Sequence, residues 1–357
     1  MSVLSGLRVI EFAAIGPVPW ASMLLADLGA EVVRIDRAGS PAPDTPTNRG
    51  RISVELDLKT NEGRIAAQGL IGGADVMLEG MRPGALERLG LEPEVIWKVN
   101  PGLVIGRMTG WGQAGPLANR AGHDINYIAL SGVLHAIGRD KPVPPLNLVG
   151  DYGGGGAFLL IGVLSAVIGA RLTGKGRIVD AAMIDGAASV MTLAYERMMI
   201  GKWIDQRASN SLDGGTPWYD VYETSDGKFM AVGCNELAFY RIFLTNFGLD
   251  PASVPDRNER DNWPQLRELF SAHFARRTRD EWASIFEHVD ACVTPVLSML
   301  EAPHHPHNLA RSTFTQFNGH PVPGAAPKFI GDQSSIAPSS VRMSADDVTT
   351  RWARRVA

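Results

Sequence analysis

Two hydrophobic periods alternate along the first 180 residues. Short runs of β-branched and apolar residues at Leu7–Phe12, Glu31–Asp36, Ile52–Leu56, Val76–Glu79, Leu103–Met108 and Ile178–Asp180 predict six strands. Between them, Trp20–Leu28 closes on Gly29 and Asn61–Ile71 closes on Gly72-Gly73, both with helical spacing and a glycine stop. This β–α rhythm with short connections predicts an α/β fold built on a parallel, doubly wound sheet, in which ligands bind at the carboxyl ends of the strands. The stretch Ala157–Ala170 (AFLLIGVLSAVIGA) is apolar on all sides. It is shorter than the ~20 residues that span a bilayer and is expected to be a buried core helix, opened by the glycine run Gly153–Gly156. A further helix is expected after the sixth strand, running to about Met199.

The pattern then changes. Gly201–Gly215 is polar and glycine-rich, as a linker is. Tyr219–Thr224 and Phe229–Gly233 flank Ser225-Asp226-Gly227-Lys228, an antiparallel hairpin signal. Helices are expected near Leu237–Phe247 and Trp263–Ala275. A third, running to His288, is announced by Thr278-Arg279-Asp280-Glu281, which has the Thr-x-x-Glu form of a capping box. This second unit is α+β. The proline-rich stretch from Pro295 to about Pro327 carries the chain elsewhere.

Composition narrows the function. A net charge of −4, from 34 basic and 38 acidic residues, argues against general binding to nucleic acid or an anionic membrane. The two cysteines, Cys234 and Cys292, are far apart and lack zinc-ligand spacing, which fits a reducing compartment. The N-terminus has neither the basic region nor the apolar core of a signal peptide, so a cytoplasmic location is expected. Neither a P-loop nor a GxSxG elbow occurs. His304-His305-Pro306-His307 lacks Cys or carboxylate neighbours, and its proline breaks helical spacing; a solvated loop is expected there rather than a metal site.

Two segments carry chemistry. Thr109-Gly110-Trp111-Gly112-Gln113-Ala114-Gly115-Pro116 is a glycine loop leaving the fifth strand, and Gly122-His123-Asp124-Ile125-Asn126-Tyr127 puts His123 and Asp124 at the mouth of a helix. Free N–H groups and a partial positive charge at a helix N-terminus suit an oxyanion, and a histidine held neutral there can act as a base. The competing reading makes Asp124 an N-cap and His123 a surface residue. In Leu146-Asn147-Leu148-Val149-Gly150-Asp151-Tyr152-Gly153, Asp151 ends an apolar stretch before four glycines, where a carboxylate either faces a ligand or caps the helix that follows.

Taken together, Leu4-Ser5-Gly6-Leu7-Arg8-Val9-Ile10-Glu11, Gly16-Pro17, Leu25-Ala26-Asp27-Leu28-Gly29-Ala30-Glu31-Val32-Val33, Asp57-Leu58-Lys59, Arg82-Pro83-Gly84 and Gly150-Asp151 resemble the family III CoA-transferase superfamily. Gly122–Tyr127 and Gly150–Gly155 are similar to its racemase branch, which acts on α-methylacyl-CoA thioesters. The resemblance implies a large CoA-binding α/β domain from residues 1–185 and 328–357, a linker 186–215, a small α+β domain 216–303 and a second linker 304–327. It also implies an interlocked homodimer and chemistry without nicotinamide, flavin, pyridoxal phosphate or metal. His123 and Asp151 would flank C2 of the acyl group and exchange its proton, with the Asp124 backbone N–H stabilising the enolate oxygen. Glu236 would orient His123 from the other chain. Arg37, Lys59, Arg82 and Arg88, with Gly122 and Tyr127, would contact CoA, and Arg51 is a weaker candidate. Met108, Met183, Met191, Met198 and Met199 offer the acyl chain an adaptable surface, if they are not simply core. The competing functions are a CoA-transferase with Asp151 as nucleophile and a non-catalytic CoA-ester-binding protein. The Gly122-His123-Asp124 base favours the racemase.

Overall fold

The structure, a computed structural model, describes residues 2–40, 44–331 and 335–354. The chain forms two compact units, one of Met1–Val133, Pro145–Thr192 and Pro306–Ala357, the other of Leu134–Pro144 and Leu193–His305. The segments 186–215 and 304–327 each divide between the two units. Strands in chain order are β1 (Arg8–Phe12), β2 (Glu31–Arg37), β3 (Arg51–Leu56), β4 (Val76–Glu79), β5 (Val104–Thr109), β6 (Ile178–Ala182), β7 (Tyr219–Glu223), β8 (Phe229–Gly233), β9 (Val293–Pro295), β10 (Phe314–Phe317), β11 (His320–Pro323) and β12 (Val341–Arg342).

In the first unit seven strands make one parallel sheet in the order β12-β3-β2-β1-β4-β5-β6. All six strands expected from the sequence are present. Alternate side chains feed two cores, as a sheet covered on both faces requires. Val9, Val32, Val76, Leu78 and Val104 pack with Val18, Leu25, Leu159 and Val163 on one face. Ile10, Phe12, Val33, Ile35, Met77 and Ile105 pack with Leu70, Ile71, Ile96 and Trp352 on the other. The order reverses at β1: the chain winds outward through β2 and β3, then returns to lay β4 on the opposite side of β1. The crevice between the carboxyl ends of β1 and β4 is therefore the topological switch point, where such sheets bind ligands.

The apolar helix corrects the sequence reading. Ala157–Thr173 buries Leu159, Val163, Ala166 and Val167 but leaves Ile161, Ile168 and Leu172 exposed. It continues a π-helical run, Leu148–Gly156, which takes in the glycines expected to open it. Together they form 26 residues that match a membrane-crossing helix in length and composition, with 33% of the most apolar window buried. The helix expected to reach Met199 is two helices, Met183–Val190 and Thr192–Met199, which meet at Met191.

In the second unit β7, β8 and β9 form an antiparallel sheet. Helices Leu237–Asn246, Trp263–Phe274 and Arg279–Phe286 enclose an aromatic core of Trp218, Tyr222, Tyr240, Phe243, Phe270, Phe274 and Trp282. The capping box is present: Thr278 N–H donates to Glu281 Oε2 at 2.8 Å, and Glu281 N–H donates back to Thr278 Oγ1 at 3.3 Å. The proline-rich stretch holds structure the sequence reading passed over. β10 and β11 form a hairpin in the first unit, turned by Asn318 and Gly319 at φ 49° and 80°. An Asn-Gly pair between short runs was the available signal.

Candidate active site

At the switch point the first unit has a cavity of about 620 Å³. Its walls are Ile15–Val18 after β1, Gly80–Pro83 after β4, Met108–Trp111 at the end of β5, and the segment Arg120–His123 with Tyr127; Asn147, Asp151, Tyr152 and Met183 close it. His123 and Asp151, 28 positions apart in sequence, line this one space.

His123 is the N-cap of the helix Asp124–Leu130; it is exposed, and its backbone N–H donates to Asn126 Oδ1 at 3.0 Å. Asp124 is therefore the first helical residue rather than the cap, and its backbone N–H belongs to the first turn, where amides lack intrahelical acceptors. Its side chain does something the sequence reading missed. The buried Asp124 carboxylate accepts the Asp151 N–H at 2.8 Å through Oδ1, while Oδ2 has no hydrogen-bond donor among the described residues. Gly150 permits this approach: a Cβ there would stand 2.4 Å from Asp124 Oδ1.

Asp151 lies inside the π-helical run, so it is not a cap for the helix that follows. A widened helical turn swings its side chain off the regular path, as such turns do at functional sites. Asn147, one turn earlier, donates from Nδ2 to Asp151 Oδ2 at 3.0 Å. Gly16, at φ 72°, leads the chain past the carboxylate, with its Cβ direction 3.4 Å from Oδ2. Burial pushes the Asp151 carboxyl above the usual carboxylate range; the Asn147 hydrogen bond opposes this, the Asp124 charge adds to it and His123 opposes it. The site thus makes Asp151 easier to protonate than an exposed aspartate.

Tyr127 is buried, donates its hydroxyl to the Gly122 carbonyl and stands edge-on to Trp111 with ring centroids 4.8 Å apart. A Cβ on Gly110 or Gly122 would lie 2.0 or 2.7 Å from its ring. The ring thus locks the glycine loop to the helix that carries His123. Among the expected CoA contacts, Arg82, Gly122 and Tyr127 line the cavity. Arg37 at the end of β2, and Lys59 and Arg88 in the segments that follow β3 and β4, are exposed and outside its wall. Arg51 is corrected: fully buried, it donates to Glu11 Oε2 at 2.9 Å, to the Arg49 carbonyl at 2.7 Å and to the Pro19 carbonyl, so its guanidinium is spent inside the fold. Arg120, Asn147, Trp111 and Met81 line the cavity without having been singled out. Of the five methionines only Met108 and Met183 reach it, while Met198 and Met199 are exposed on the second unit.

Glu236 lies in the second unit as the N-cap of Leu237–Asn246, exposed and without a side-chain capping bond. Arg257 braces the residues before it, donating to the carbonyls of Cys234 at 3.2 Å and Asn235 at 2.6 Å beneath the rings of Trp218 and Tyr240. His304 ends a 3₁₀ turn, and His307 sits in the short helix Pro306–Ala310. Among the described residues no group of three His, Cys, Asp or Glu side chains could hold a metal ion.

The sequence profile of CoA-transferase family III matches residues 4–340. The chain is 42% identical to the alpha-methylacyl-CoA racemase of Mus musculus over 95% of its length and 89% of the mouse protein. It is 42% identical to the racemase of that name from Homo sapiens over 87% of its length and 82% of the human protein. An acetyl-CoA:oxalate CoA-transferase of Acetobacter aceti is 28% identical over 91% of this chain and 89% of that one. A crystal structure of a CAIB/BAIF family protein from Brucella suis has the same fold, with a TM-score of 0.82 over 98% of both chains at 24% identity. With a matching profile over nearly all of its length and a switch-point cavity carrying an aspartate and a histidine, the chain belongs to CoA-transferase family III.

Proposed function

We propose that the protein is a racemase that interconverts R and S 2-methylacyl-CoA thioesters by proton transfer at C2. The observation that carries this reading is the pairing of His123 and Asp151 on one cavity, with burial raising the Asp151 carboxyl. For one enantiomer, neutral His123 removes the C2 proton. The C–H electrons move into the thioester, and negative charge develops on its oxygen, beside the Asp124 N–H at the helix mouth. Protonated Asp151 then delivers its proton to the opposite face. For the other enantiomer the roles reverse, with the Asp151 carboxylate as base and the His123 imidazolium as acid. The Asn147 hydrogen bond supports this role by holding one Asp151 oxygen and leaving the other for the substrate.

CoA would lie across the carboxyl ends of β1–β4, with Arg82 at the cavity and the exposed Arg37, Lys59 and Arg88 beyond it. A homodimer in which Glu236 of one chain supports His123 of the other fits an exposed Glu236 whose side chain makes no capping hydrogen bond to its own helix. Exposed apolar side chains for such an association are Ile161, Ile168 and Leu172 on the first unit and Leu193, Tyr195 and Met199 on the second. The test is an enantiopure 2-methylacyl-CoA in D₂O with no acceptor acid. Deuterium should enter C2 as R and S approach a ratio near one. Transfer of CoA to succinate or another free acid, with no exchange at C2, would replace this reading with a transferase in which Asp151 is the nucleophile.

A further inference from the structure

Beneath the cavity lies a buried charge cluster that the proton transfers do not use. Glu79 ends β4 directly opposite Arg107 of β5, and both are buried at 3% and 7% exposure. Glu79 Oε2 accepts the Met81 N–H at 2.6 Å, which ties it to the turn that forms the Gly80–Pro83 wall. Its Oε1 lies 3.5 Å from Arg107 Nε. The other guanidinium nitrogens of Arg107 reach Glu87 Oε1 at 2.7 Å, on the helix Ala85–Arg88, and Gln113 Oε1 at 3.3 Å, in the glycine loop. Gln113 is itself held by Asp180 of β6, which accepts its N–H at 3.0 Å. The turn has little slack, because a Cβ on Gly80 would stand 3.1 Å from Val18 and 3.2 Å from Ala14.

We propose that Glu79 and Arg107 form a positioning pair for the CoA-ester site: Glu79 holds the Met81–Arg82 turn, and Arg107 joins that turn to the glycine loop after the neighbouring strand β5. The proposal rests on the functional reading above, since it takes Arg82 and this wall as ligand-facing. A fork that donates to Glu87 and Gln113 on different elements while lying in ion-pair range of Glu79 suits arginine and not lysine. The groups facing Glu79 are Arg107 from β5 and Glu87 from the next helix, where Arg88 stands beside Glu87. Burial prevails over Arg107 and the Met81 N–H and raises the Glu79 carboxyl from 4.5 to about 7. The ionised form, above that pH, pairs with Arg107 and accepts the Met81 N–H most strongly. Ligand affinity should therefore fall as pH drops through neutrality.

The experiment compares full-length wild type with Glu79→Gln and Arg107→Lys, using CoA itself in titration calorimetry and a 2-methylacyl-CoA in C2 exchange. At pH 8, Kd for CoA and KM should each rise about tenfold in both variants, the scale of one charge-assisted hydrogen bond, with kcat within about twofold. From pH 8 to 6 wild-type affinity should weaken more steeply than that of Glu79→Gln. Titration of the CoA phosphates is common to both proteins and cancels in this comparison. Equal Kd values, or an equal pH slope, would overturn the pair while leaving the functional reading in place. Absence of CoA binding by wild type would overturn both. If Glu79→Gln does not fold, Glu79→Asp keeps the charge but shortens its reach to Met81, and an unchanged Kd there overturns the proposal equally.

Discussion

The hold of Asp124 on Asp151 can be tested by adding one methyl group at Gly150, which itself takes no part in proton transfer. In Gly150→Ala the new Cβ would stand 2.4 Å from Asp124 Oδ1, 2.9 Å from its Cγ and 3.3 Å from its Cα. Backbone and carboxylate cannot both stay in place, so the carboxylate rotates away and the 2.8 Å bond from Asp151 N–H is lost. A hydrogen bond to a charged group contributes about 2 kcal/mol, and the displaced carboxylate remains buried with one oxygen already lacking a donor. The variant should thus lose about 2 kcal/mol of stability in urea. It should also lose on the order of 100-fold in racemisation, because the Asp151 side chain leaves its reactive position. Gly69→Ala is the matched control. That exposed glycine lies within the helix Asn61–Gly72 with nothing within 4 Å of its Cβ direction, so alanine should add about 0.5–1 kcal/mol and leave activity unchanged. The assays are urea unfolding and C2 deuterium exchange on R and S esters separately, where exchange through Asp151 should suffer more than exchange through His123. Wild-type stability and wild-type exchange in Gly150→Ala would refute the claim that this contact sets the acid.

Asp151→Asn and His123→Ala should each reduce racemisation by about 100-fold or more, the scale of a positioned acid or base. Each variant should retain α-proton exchange for one enantiomer, and full racemisation by His123→Ala would remove it from the mechanism. A heterodimer co-expressed from His123→Ala and Glu236→Ala chains should regain activity at one of its two sites; activity no higher than in either homodimer would exclude sharing between subunits. Glu79 also predicts a pH-dependent stability. Its folded value is raised from 4.5 to about 7, so the native state keeps a proton that the unfolded chain releases in that window. The stability this contributes is complete below about 4.5 and is lost as pH rises through about 7. The difference is up to about 3 kcal/mol, measured as the gap between wild type and Glu79→Gln in urea unfolding at pH 5 and pH 8. A gap that does not change with pH would contradict it. Ionised Glu79 thus costs stability in the pH range where it best holds the cavity wall, a familiar tension at functional sites.

Much of this protein is written in local sequence. The six strand runs, the glycine stops at Gly29 and Gly72-Gly73, the Ser225–Lys228 hairpin turn and the Thr278–Glu281 capping box each report a short-range preference of the backbone, and each appears in the structure. The motif residues His123 and Asp151 were also legible, because a loop at a strand end and a glycine-bounded carboxylate are local features. Tertiary structure decided what depends on partners distant in the chain. Arg51 and Arg37 are the same residue type at strand ends; only packing puts the first against Glu11 and leaves the second in solvent. Composition makes Ala157–Thr173 a core helix, but its packing on the sheet leaves Ile161, Ile168 and Leu172 uncovered. The run before it could pass for a loop because glycine carries no periodic signal. It is helical because small residues let it approach Met183–Val190 so closely that a Cβ on Gly186 would lie 1.9 Å from the Gly154 carbonyl. The Asp124 carboxylate reaching the Asp151 amide 27 positions away, and Glu79 facing Arg107 across two strands, have no trace in spacing or propensity. Such contacts form only once the order β1-β4-β5 has brought distant segments together, and there burial, rather than sequence, sets the charge each group prefers.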